Sequence, residues 1–250
     1  MSKSNNYIIN ILNKKLNSKD IDIKNLTILN KGKFGNAFVY RYKDTNLDYT
    51  IKDFYHCPFF IRVIFGRIMA RIEYKTLKKL HNISGIASEV SMLSPFTVAF
   101  TFINGKSLNF YDNKTYSVPV EFFLKLEKLV AEMHKRDIIH LDLRNLGNIL
   151  LGEDKNPYII DFQSSITSKR LPKKIRKTLE NSDISGIYKA WSKVCFEPLP
   201  LEKQQFLDSF NSLRKFWIFK GYPISKAIKK LIKYNKRNIS SFYSLRNYKF

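Results

Sequence analysis

The sequence predicts an α+β fold built from two lobes, a small antiparallel sheet and a larger, mainly helical part. Strand-like segments, rich in β-branched and aromatic residues and bounded by Gly, Asp and Asn, lie mostly before Gly105. Helical periodicity dominates after it, and no internal repeat or low-complexity linker divides the chain. Strands first and helices later indicate two lobes. We expect an N-terminal extension at 1–25, a first lobe at 26–104 and a second lobe at 105–250.

The elements of the first lobe follow from their periodicity. Residues 7–17 have a short amphipathic pattern and precede two strand segments, LTILNKGKFGNAFVYRYK and LDYTIKDF. From Pro58 the pattern becomes helical. The apolar residues of this helix fall roughly on one face of a 3.6-residue period and are Ile61, Ile64, Phe65, Ile68, Ile72 and Leu77. The segment PFTVAFTFI then predicts one more strand before Asn104 and Gly105.

The second lobe is predicted to contain an amphipathic helix from Val120 to Arg136, whose apolar residues are three and four positions apart. Two short apolar runs, IIH and NILL, frame a polar loop after this helix. The segment PYIID predicts a strand that leads into a charged turn. The rest of the chain is predicted to be helical, with interruptions at Pro198, Pro200 and Pro223.

The composition indicates a folded chain with a strongly basic surface. The chain has 250 residues, 44% of them hydrophobic, and a formal net charge of +23. Such a charge attracts polyanions, which include nucleic acid, anionic lipid and phosphorylated glycan. Cys57 and Cys195 lie far apart in the sequence, which argues against a disulfide framework or a zinc site. Because we find neither a signal-peptide core nor about 18 consecutive uncharged apolar residues, we expect a cytoplasmic protein.

The segment HLDLRNLGNILLGEDKNPYIIDFQ carries the clearest functional pattern. Asp142 lies in a loop after a helix, Asn148 follows six residues later, and Asp161 closes the next strand before Phe162. This order resembles the H-R-D-x-x-x-x-N and D-F-G segments of the protein-kinase superfamily. The resemblance implies that Asp142 is the catalytic base and that Asn148 and Asp161 hold Mg²⁺ on the phosphates of ATP.

Three neighbouring residues extend this resemblance. Arg144 stands where the family has the lysine of the catalytic loop, which implies a cation near the transferred phosphate. His140 matches the histidine that braces the loop, so the resemblance implies no proton transfer by this residue. Asp183, in DISG, resembles the acid that anchors the loop from a buried helix. An N-cap of the helix ISGIYKAWSKV is the alternative role for Asp183.

The first lobe resembles a nucleotide-binding lobe. In NKGKFGNAFVY, Gly32 and Gly35 match a glycine-rich loop whose backbone approaches the phosphates, with Asn30 at the first glycine position. Lys52, in YTIKDF, matches the lysine of V-A-I-K, and Glu73 stands where the family places its ion-pair partner. A solvated surface pair is the alternative for Lys52 and Glu73.

The connection between the lobes, TVAFTFINGKSL, resembles the fifth strand and hinge of the same superfamily. The resemblance implies that backbone groups of Thr101, Phe102 and Ile103 bond the adenine edge, with Phe100 as the gatekeeper. ATP and Mg²⁺ are therefore the expected cofactors.

Departures from the family pattern narrow the regulation and the class of acceptor that we expect. Leu141 replaces the Arg of H-R-D, which removes the usual partner of an activation-loop phosphate. Gln163 replaces the Gly of D-F-G, so this segment should flip less readily, and the catalytic loop is one residue longer than usual. Only about twenty residues separate Asp161 from Asp183, too few for a long peptide-docking segment. This spacing favours a small or non-peptide acceptor.

Among short relatives, the sequence looks most like the bacterial kinases that phosphorylate Kdo or heptose in the lipopolysaccharide core. The shared features are the D-L-R-x-x-x-N loop, the helix that ends in RIEYKTLKKL and the compact size. The superfamily resemblance covers roughly residues 26–195. Two basic tracts, at 169–177 and 214–250, are further features, and the second interleaves lysine with aromatic residues. This mixture predicts contact with an anionic membrane surface, peripheral on the inner membrane.

Two other functions stay open at this point. The first is a protein serine/threonine kinase of reduced size. The second is a catalytically inactive basic scaffold or nucleic-acid binder. The intact set of Lys52, Asp142, Asn148 and Asp161 argues against the second, and no RNA-binding or base-reading motif is evident. We therefore expect a glycolipid or small-molecule acceptor and no nucleic-acid partner, and the sequence does not specify the oligomeric state.

Overall fold

The computed structural model describes residues 3–16, 21–32 and 36–215. A five-stranded antiparallel sheet forms the first lobe, and the second lobe is mainly helical. The α+β fold class predicted from the sequence is therefore confirmed. The predictions on Gly35 and on the basic tail beyond Lys215 fall outside the described residues.

The sheet of the first lobe has the strand order β1-β2-β3-β5-β4, with every neighbouring pair antiparallel. Its strands are β1 (Leu26–Asn30), β2 (Phe38–Lys43), β3 (Asp48–Asp53), β4 (Val90–Ser94) and β5 (Thr97–Thr101). Helix α1 (Lys3–Leu16) buries Ile8 and Leu12 in one core cluster with Ile51 of β3. Because side chains alternate along a strand, Lys52 points away from this cluster, towards the lobe cleft.

A continuous helical segment follows β3. It consists of α2 (Phe59–Ile61), a π-helical turn (Arg62–Gly66) and α3 (Arg67–Leu80). The predicted single apolar face is interrupted, since Ile64 and Ile68 are about half exposed, at 51% and 50%. The wide π turn breaks the 3.6-residue period that the prediction assumed.

The second lobe packs three long helices around short strand pairs. The helices are α4 (Val120–Lys135), α5 (Lys173–Val194) and α6 (Leu201–Lys215). The short strands are β6 (Gly105–Ser107), β7 (Ile138–Ile139), β8 (Ile149–Gly152), β9 (Pro157–Ile159) and β10 (Ile166–Thr167). In the main core cluster, Phe123 of α4 stacks on Trp191 of α5. None of the described helices has an apolar stretch long enough to cross a lipid bilayer.

Candidate active site

Lys52 makes two ion pairs, one within the first lobe and one that joins it to the second lobe. Its Nζ donates to Oε1 of Glu73 on α3 at 2.7 Å and to Oδ1 of Asp161, after β9, at 2.8 Å. Lys52 is 7% exposed and Glu73 is fully buried. The predicted pairing of Lys52 with Glu73 is thus present in the structure, and the alternative of a solvated surface pair is wrong.

Lys52, Glu73 and Asp161, which we call the Lys52 cluster, shift one another's pKa. Burial alone would lower the pKa of Lys52, but Asp161 and Glu73 together raise it, so the ammonium stays charged. Burial raises the pKa of Glu73, which Asp161 raises further while Lys52 and Gln163 lower it. For Asp161, Lys52 outweighs the effect of burial, and the pKa falls below its ordinary value. When all three groups are ionised, the cluster has one negative charge in excess, which suits a site for a cation.

The pairing of β8 with β9 brings Asn148 close to Asp161. Asn148 directly precedes β8, Asp161 follows β9 after Ile160, and Ile149 lies opposite Ile159 in this antiparallel pair. The amide N–H of Ile160 donates to the carbonyl of Asn148 at 3.0 Å. Because the start of β8 and the end of β9 meet at one edge, the two predicted metal ligands come from neighbouring backbone segments.

Asp142 lies in the loop before Asn148, whose side-chain amide contacts its carboxylate. The side-chain amide of Asn148 donates to the carbonyl of Asp142 at 3.1 Å and to Oδ2 of its carboxylate at 2.6 Å. Burial and the nearby charge of Asp161 raise the pKa of Asp142 to about 6, against the lowering effect of the amide. A carboxylate with this pKa is ionised at neutral pH and is more basic than an ordinary Asp, which fits the predicted role of a general base.

Asp183 holds the backbone of the catalytic loop from inside α5. Its Oδ2 accepts from the amide N–H of His140 and its Oδ1 from that of Leu141, both at 2.8 Å. Leu141 has a φ of +67°, a left-handed conformation that costs energy for a residue other than glycine. Asp183 is fully buried and lies far from the first turn of the helix, so the alternative role of an N-cap is wrong.

His140 braces the loop with both ring nitrogens. Nε2 lies 3.0 Å from the carbonyl of Ile160, and the amide N–H of Asp142 donates to Nδ1 at 3.3 Å. These partners are satisfied together by the neutral tautomer that carries its proton on Nε2. Burial lowers the pKa of His140, which also favours the neutral ring. The geometry is that of the predicted bracing role.

Arg144 is held by the helices of the second lobe. Its Nη1 donates to Oγ of Ser185 on α5 at 2.9 Å, and its Nη2 donates to Oδ1 of Asn211 on α6 at 2.9 Å. Burial and nearby Arg214 lower the pKa of Arg144 to about 10. The contacts of Arg144 therefore differ from those of a side chain extended towards the Lys52 cluster, and its role beside the transferred phosphate stays a prediction.

The glycine-rich segment shows a close backbone approach at Gly32. A Cβ atom at this position would lie 2.1 Å from the carbonyl oxygen of Asn36, so no larger residue fits without a backbone shift. Gly35 lies outside the described residues. The roles of both glycines in phosphate binding stay predictions.

The hinge offers fewer free donors than the sequence suggests. The amide N–H of Thr101 donates to the carbonyl of Glu89 at 3.1 Å, and that of Phe102 to the carbonyl of Asp48 at 2.8 Å. Their N–H groups are therefore engaged within the protein. Among the described residues, Ile103 has no such backbone partner, so its N–H remains for an adenine edge. For Thr101 and Phe102, the predicted adenine contacts are therefore limited to their backbone carbonyls.

The structure adds contacts that the motifs did not predict. Oγ1 of Thr76 on α3 lies 2.8 Å from Oγ of Ser165, which fixes the segment after Asp161 to the helix that carries Glu73. Lys189 of α5 donates its Nζ to the carbonyl of Arg144 at 2.8 Å. The only signal for Lys189 in the sequence was its position less than two helical turns after Asp183.

The residues present fit a magnesium-nucleotide pair better than a closed metal site. Within 3–16, 21–32 and 36–215, no three His, Cys, Asp or Glu side chains are grouped to hold a metal ion. Asp161 and Asn148 are the available oxygen ligands, and the Asp161 side chain is 35% exposed and so can be reached. Mg²⁺ is commonly held by one or two protein groups together with phosphate oxygens, which matches this donor set.

Comparisons with known proteins identify the fold. No protein-family model matches the sequence, and no curated protein matches it. A crystal structure of the Rio2 kinase from Chaetomium thermophilum is 14% identical, has a TM-score of 0.57 and covers 95% of this chain and 79% of its own. The structure of its ADP/Mg²⁺-phosphoaspartate complex is 15% identical, has a TM-score of 0.54 and covers 94% and 77%. This chain therefore has the protein-kinase-like fold.

Proposed function

We propose that the protein is an ATP- and Mg²⁺-dependent phosphotransferase that acts on a hydroxyl group. The observation that carries this proposal is the buried Lys52–Glu73 pair, which reaches across the lobes to Asp161. Burying a lysine between two carboxylates costs desolvation free energy. A functional site explains why the chain retains such a costly arrangement, whereas an inactive scaffold does not require it. The raised pKa of Asp142, to about 6, supports its assignment as a base in the same cleft.

Each residue of the cleft has a role in this proposal. Lys52 holds phosphate oxygens of the nucleotide, and Asn148 and Asp161 hold the metal ion. When bound, ATP supplies the transferable phosphoryl group and Mg²⁺ supplies charge neutralisation. Asp142 orients the acceptor hydroxyl and takes its proton. Asp183 and His140 keep the loop in the conformation that presents Asp142.

The short connection after Asp161 supports a small or non-peptide acceptor. Only residues 162–172 lie before α5, and β10 within them is paired with β7. A eukaryotic-type protein kinase uses a longer segment here to dock a peptide, as noted above. We propose a sugar hydroxyl, and the finer assignment to a lipopolysaccharide core rests on the motif resemblance alone. A glycolipid acceptor would require the predicted contact with an anionic membrane.

A protein acceptor is the second candidate. It is favoured by the likeness to a protein named Rio2 kinase, one structure of which is an ADP/Mg²⁺-phosphoaspartate complex. At 14 and 15% identity this likeness concerns the fold, so it does not decide between the two acceptors.

A labelling experiment tests the proposal and separates the two acceptors. The purified protein is incubated with γ-labelled ATP and Mg²⁺, and is offered a glycolipid extract, a water-soluble extract and a protein extract in parallel. We expect label in the glycolipid or the water-soluble fraction. The Asp142→Asn variant should lose incorporation. Asp208→Asn, an exposed acid on α6, should retain it and is the matched control.

The outcomes are distinct. Label that appears only in the protein extract would move the assignment to a protein kinase. No Asp142-dependent label in any extract would contradict phosphotransferase activity and favour the inactive scaffold.

A further inference from the structure

A cluster of cations lies beside Asp142 on the side of the α5 and α6 helices. We name it the basic cluster; its members are Arg144, Lys189, Lys193 and Arg214. Lys189 donates its Nζ to the carbonyl of Arg144 at 2.8 Å, and Arg144 bonds to Ser185 and Asn211 as described above. Hydrogen bonds thus hold Arg144 to both helices and Lys189 to the catalytic loop, and Lys193 and Arg214 lie near enough to affect their charges.

The cations of the basic cluster are close enough to disfavour one another's charge. The pKa of Lys189 is lowered by burial first, and then by Arg144, Lys193 and Arg214. The pKa of Arg144 is lowered by burial and then by Arg214. Asp142 has the opposite effect and raises the pKa of Lys189. Such a concentration of like charge is unfavourable unless an anion joins it.

Such an anion would have to come from outside the described part of the chain. Among the described residues, none of the four cations makes an ion pair with a carboxylate. Residues 216–250 contain no Asp or Glu. Asp20 is the one acid in the remaining segments, and the neighbouring Ile21 is buried in the core of the first lobe.

Some other basic residues of the same lobe have acidic partners. Arg176 bonds to Asp137 and Glu180, and Lys203 bonds to Glu127. Other cations of this lobe, such as Lys177, also have no acidic partner among the described residues, but Lys177 is exposed, whereas Arg144 and Lys189 are half-buried beside each other. In addition, Nε of Arg144 is buried and has no hydrogen-bond partner among the described residues. A donor of this kind remains available to a ligand.

We propose that the basic cluster binds a negatively charged group of the acceptor, a phosphate or a carboxylate, and so selects an acidic alcohol. This deepens the proposed function and rests on it, because it takes Asp142 as the group that receives the acceptor hydroxyl. The bound anion offsets the mutual repulsion of the cations and holds the acceptor next to the loop. Arg144 and Lys189 act here by binding and positioning, and Asp142 remains the base.

A chemical probe tests the anion site without any need for turnover. Pyridoxal 5′-phosphate and pyridoxal both form an imine with a lysine amine, with loss of water, and borohydride reduces the imine to a stable amine. Only the first compound carries a phosphate. Each is added to the full-length protein, and the labelled lysines are quantified by peptide mass spectrometry. Lys177, which is exposed on the same helix α5, is the matched control.

We expect pyridoxal 5′-phosphate to label Lys189 more strongly than pyridoxal does. This ratio of labelling by the two compounds should be about tenfold larger at Lys189 than at Lys177. Inorganic phosphate should slow the labelling of Lys189 and leave Lys177 unaffected. Lys193→Met and Arg214→Gln, two changes near the surface, should each reduce the preference at Lys189. An equal preference at both lysines, or no effect of inorganic phosphate, would overturn the proposal of an anion site.

Acceptor assays then test the link to catalysis. Water-soluble and detergent-dispersed lipid extracts are each passed over an anion exchanger, and the retained and unretained fractions are offered with labelled ATP. We expect about tenfold more acceptor in the retained fraction of one extract, which also tells a free acid from a lipid-bound one. Acceptor found in the unretained fraction would overturn the selection of an acidic alcohol. Because pyridoxal labelling needs no ATP, an anion site without transfer would instead point to a failure of the proposed function.

Discussion

The two carboxylates of the cleft lie in opposite electrostatic surroundings. Asp161 bonds to Lys52 at 2.8 Å, and this cation lowers its pKa in spite of burial. Asp142 bonds to the neutral amide of Asn148 instead, and its pKa rises to about 6. The two aspartates, which lie in different loops of the cleft, thus have pKa values that suit two different chemical roles.

The difference follows from which lobe reaches each acid. The first lobe extends Lys52 and Glu73 to Asp161, so this acid is fixed between the lobes. Asp142 bonds to Asn148 in the second lobe, and its loop is anchored there on Asp183. A fixed anion suits a metal and phosphates, whereas a basic carboxylate suits a proton from the acceptor.

The largest expected effects separate binding from transfer. Asp161→Asn should reduce phosphoryl transfer by about 10³-fold or more and weaken the Mg²⁺ dependence of nucleotide binding, because it removes a metal ligand. Asp142→Asn should reduce transfer by about 10² to 10⁴-fold while nucleotide binding is retained, because a base acts only on the acceptor. Transfer rates and nucleotide titrations with and without Mg²⁺ measure both effects.

Equal effects of Asp161→Asn and Asp142→Asn on nucleotide binding would contradict the difference between the two acids. A Lys52→Met variant is the control for nucleotide binding, since Lys52 contacts Asp161 and not Asp142. Weakened nucleotide binding in Asp142→Asn, or near-normal transfer in either acid variant, would contradict the assigned roles.

The same two substitutions should change stability in opposite directions at neutral pH. Asp161→Asn takes away one of the two carboxylate partners of the buried Lys52 and should lower the free energy of unfolding by about 1–3 kcal/mol, a figure reduced for partial solvent screening. Asp142→Asn removes the cost of a desolvated carboxylate and should raise it by about 1–2 kcal/mol, again after allowance for partial exposure. Denaturant unfolding at pH 7.5 without metal or nucleotide measures both values. Destabilisation by both variants would contradict a net cost of the ionised Asp142 carboxylate in the folded state.

The gain in the free energy of unfolding that we expect for Asp142→Asn should depend on pH. The pKa of Asp142 is raised from 3.8 to about 6 by folding, so the protonated form is favoured in the folded state. The unfavourable contribution of Asp142 is therefore absent below about pH 4, grows as pH rises, and is complete above about pH 6. The advantage of Asp142→Asn over the wild type should be smaller at pH 5.0 than at pH 7.5. An advantage that does not change between these two pH values would assign Asp142 an ordinary pKa.

The motif order was enough to predict which residues meet around Asp161. Lys52, Glu73, Asn148 and Asp161 each belong to a segment with its own pattern, and the sheet pairing that joins them is common to the fold. The N-cap alternative for Asp183 stayed open because helix boundaries are poorly defined in sequence. Only the position of Asp183 deep inside α5 decides it.

Contacts between distant segments that lie outside these motifs could not be predicted. Arg144 bonds to Ser185 and Asn211, which lie 41 and 67 residues away. No local pattern specifies such a partner. The hinge is similar, because the amide of Phe102 is engaged by the carbonyl of Asp48 on another strand. The exposure of Ile64 and Ile68 depends on a π turn that periodicity analysis does not detect.

The smallest expected effect concerns the segment after Asp161, which we expect to work without phosphorylation. In the structure this segment is already ordered by neutral contacts: Ser165 meets Thr76, β10 pairs with β7, and the amide of Ser168 donates to the carbonyl of Asp137. Leu141 stands where an arginine would bind a phosphate, so an added charge has no partner in the loop.

Thr167 is the informative position in that segment, because it is exposed whereas Ser165 and Ser168 are buried, at 3% and 1%. Thr167→Ala, Thr167→Glu and phosphatase treatment of the wild type should each change transfer by less than about twofold, the range expected of a surface change that removes no contact. Ser165→Ala is the contrasting variant, since it breaks the contact with Thr76 on the helix that carries Glu73. It should lower transfer more than any change at Thr167. A large fall in rate after phosphatase treatment, or a gain with Thr167→Glu, would show that the Asp161 side of the cleft depends on an added charge and is not fixed by the Lys52 cluster and packing alone.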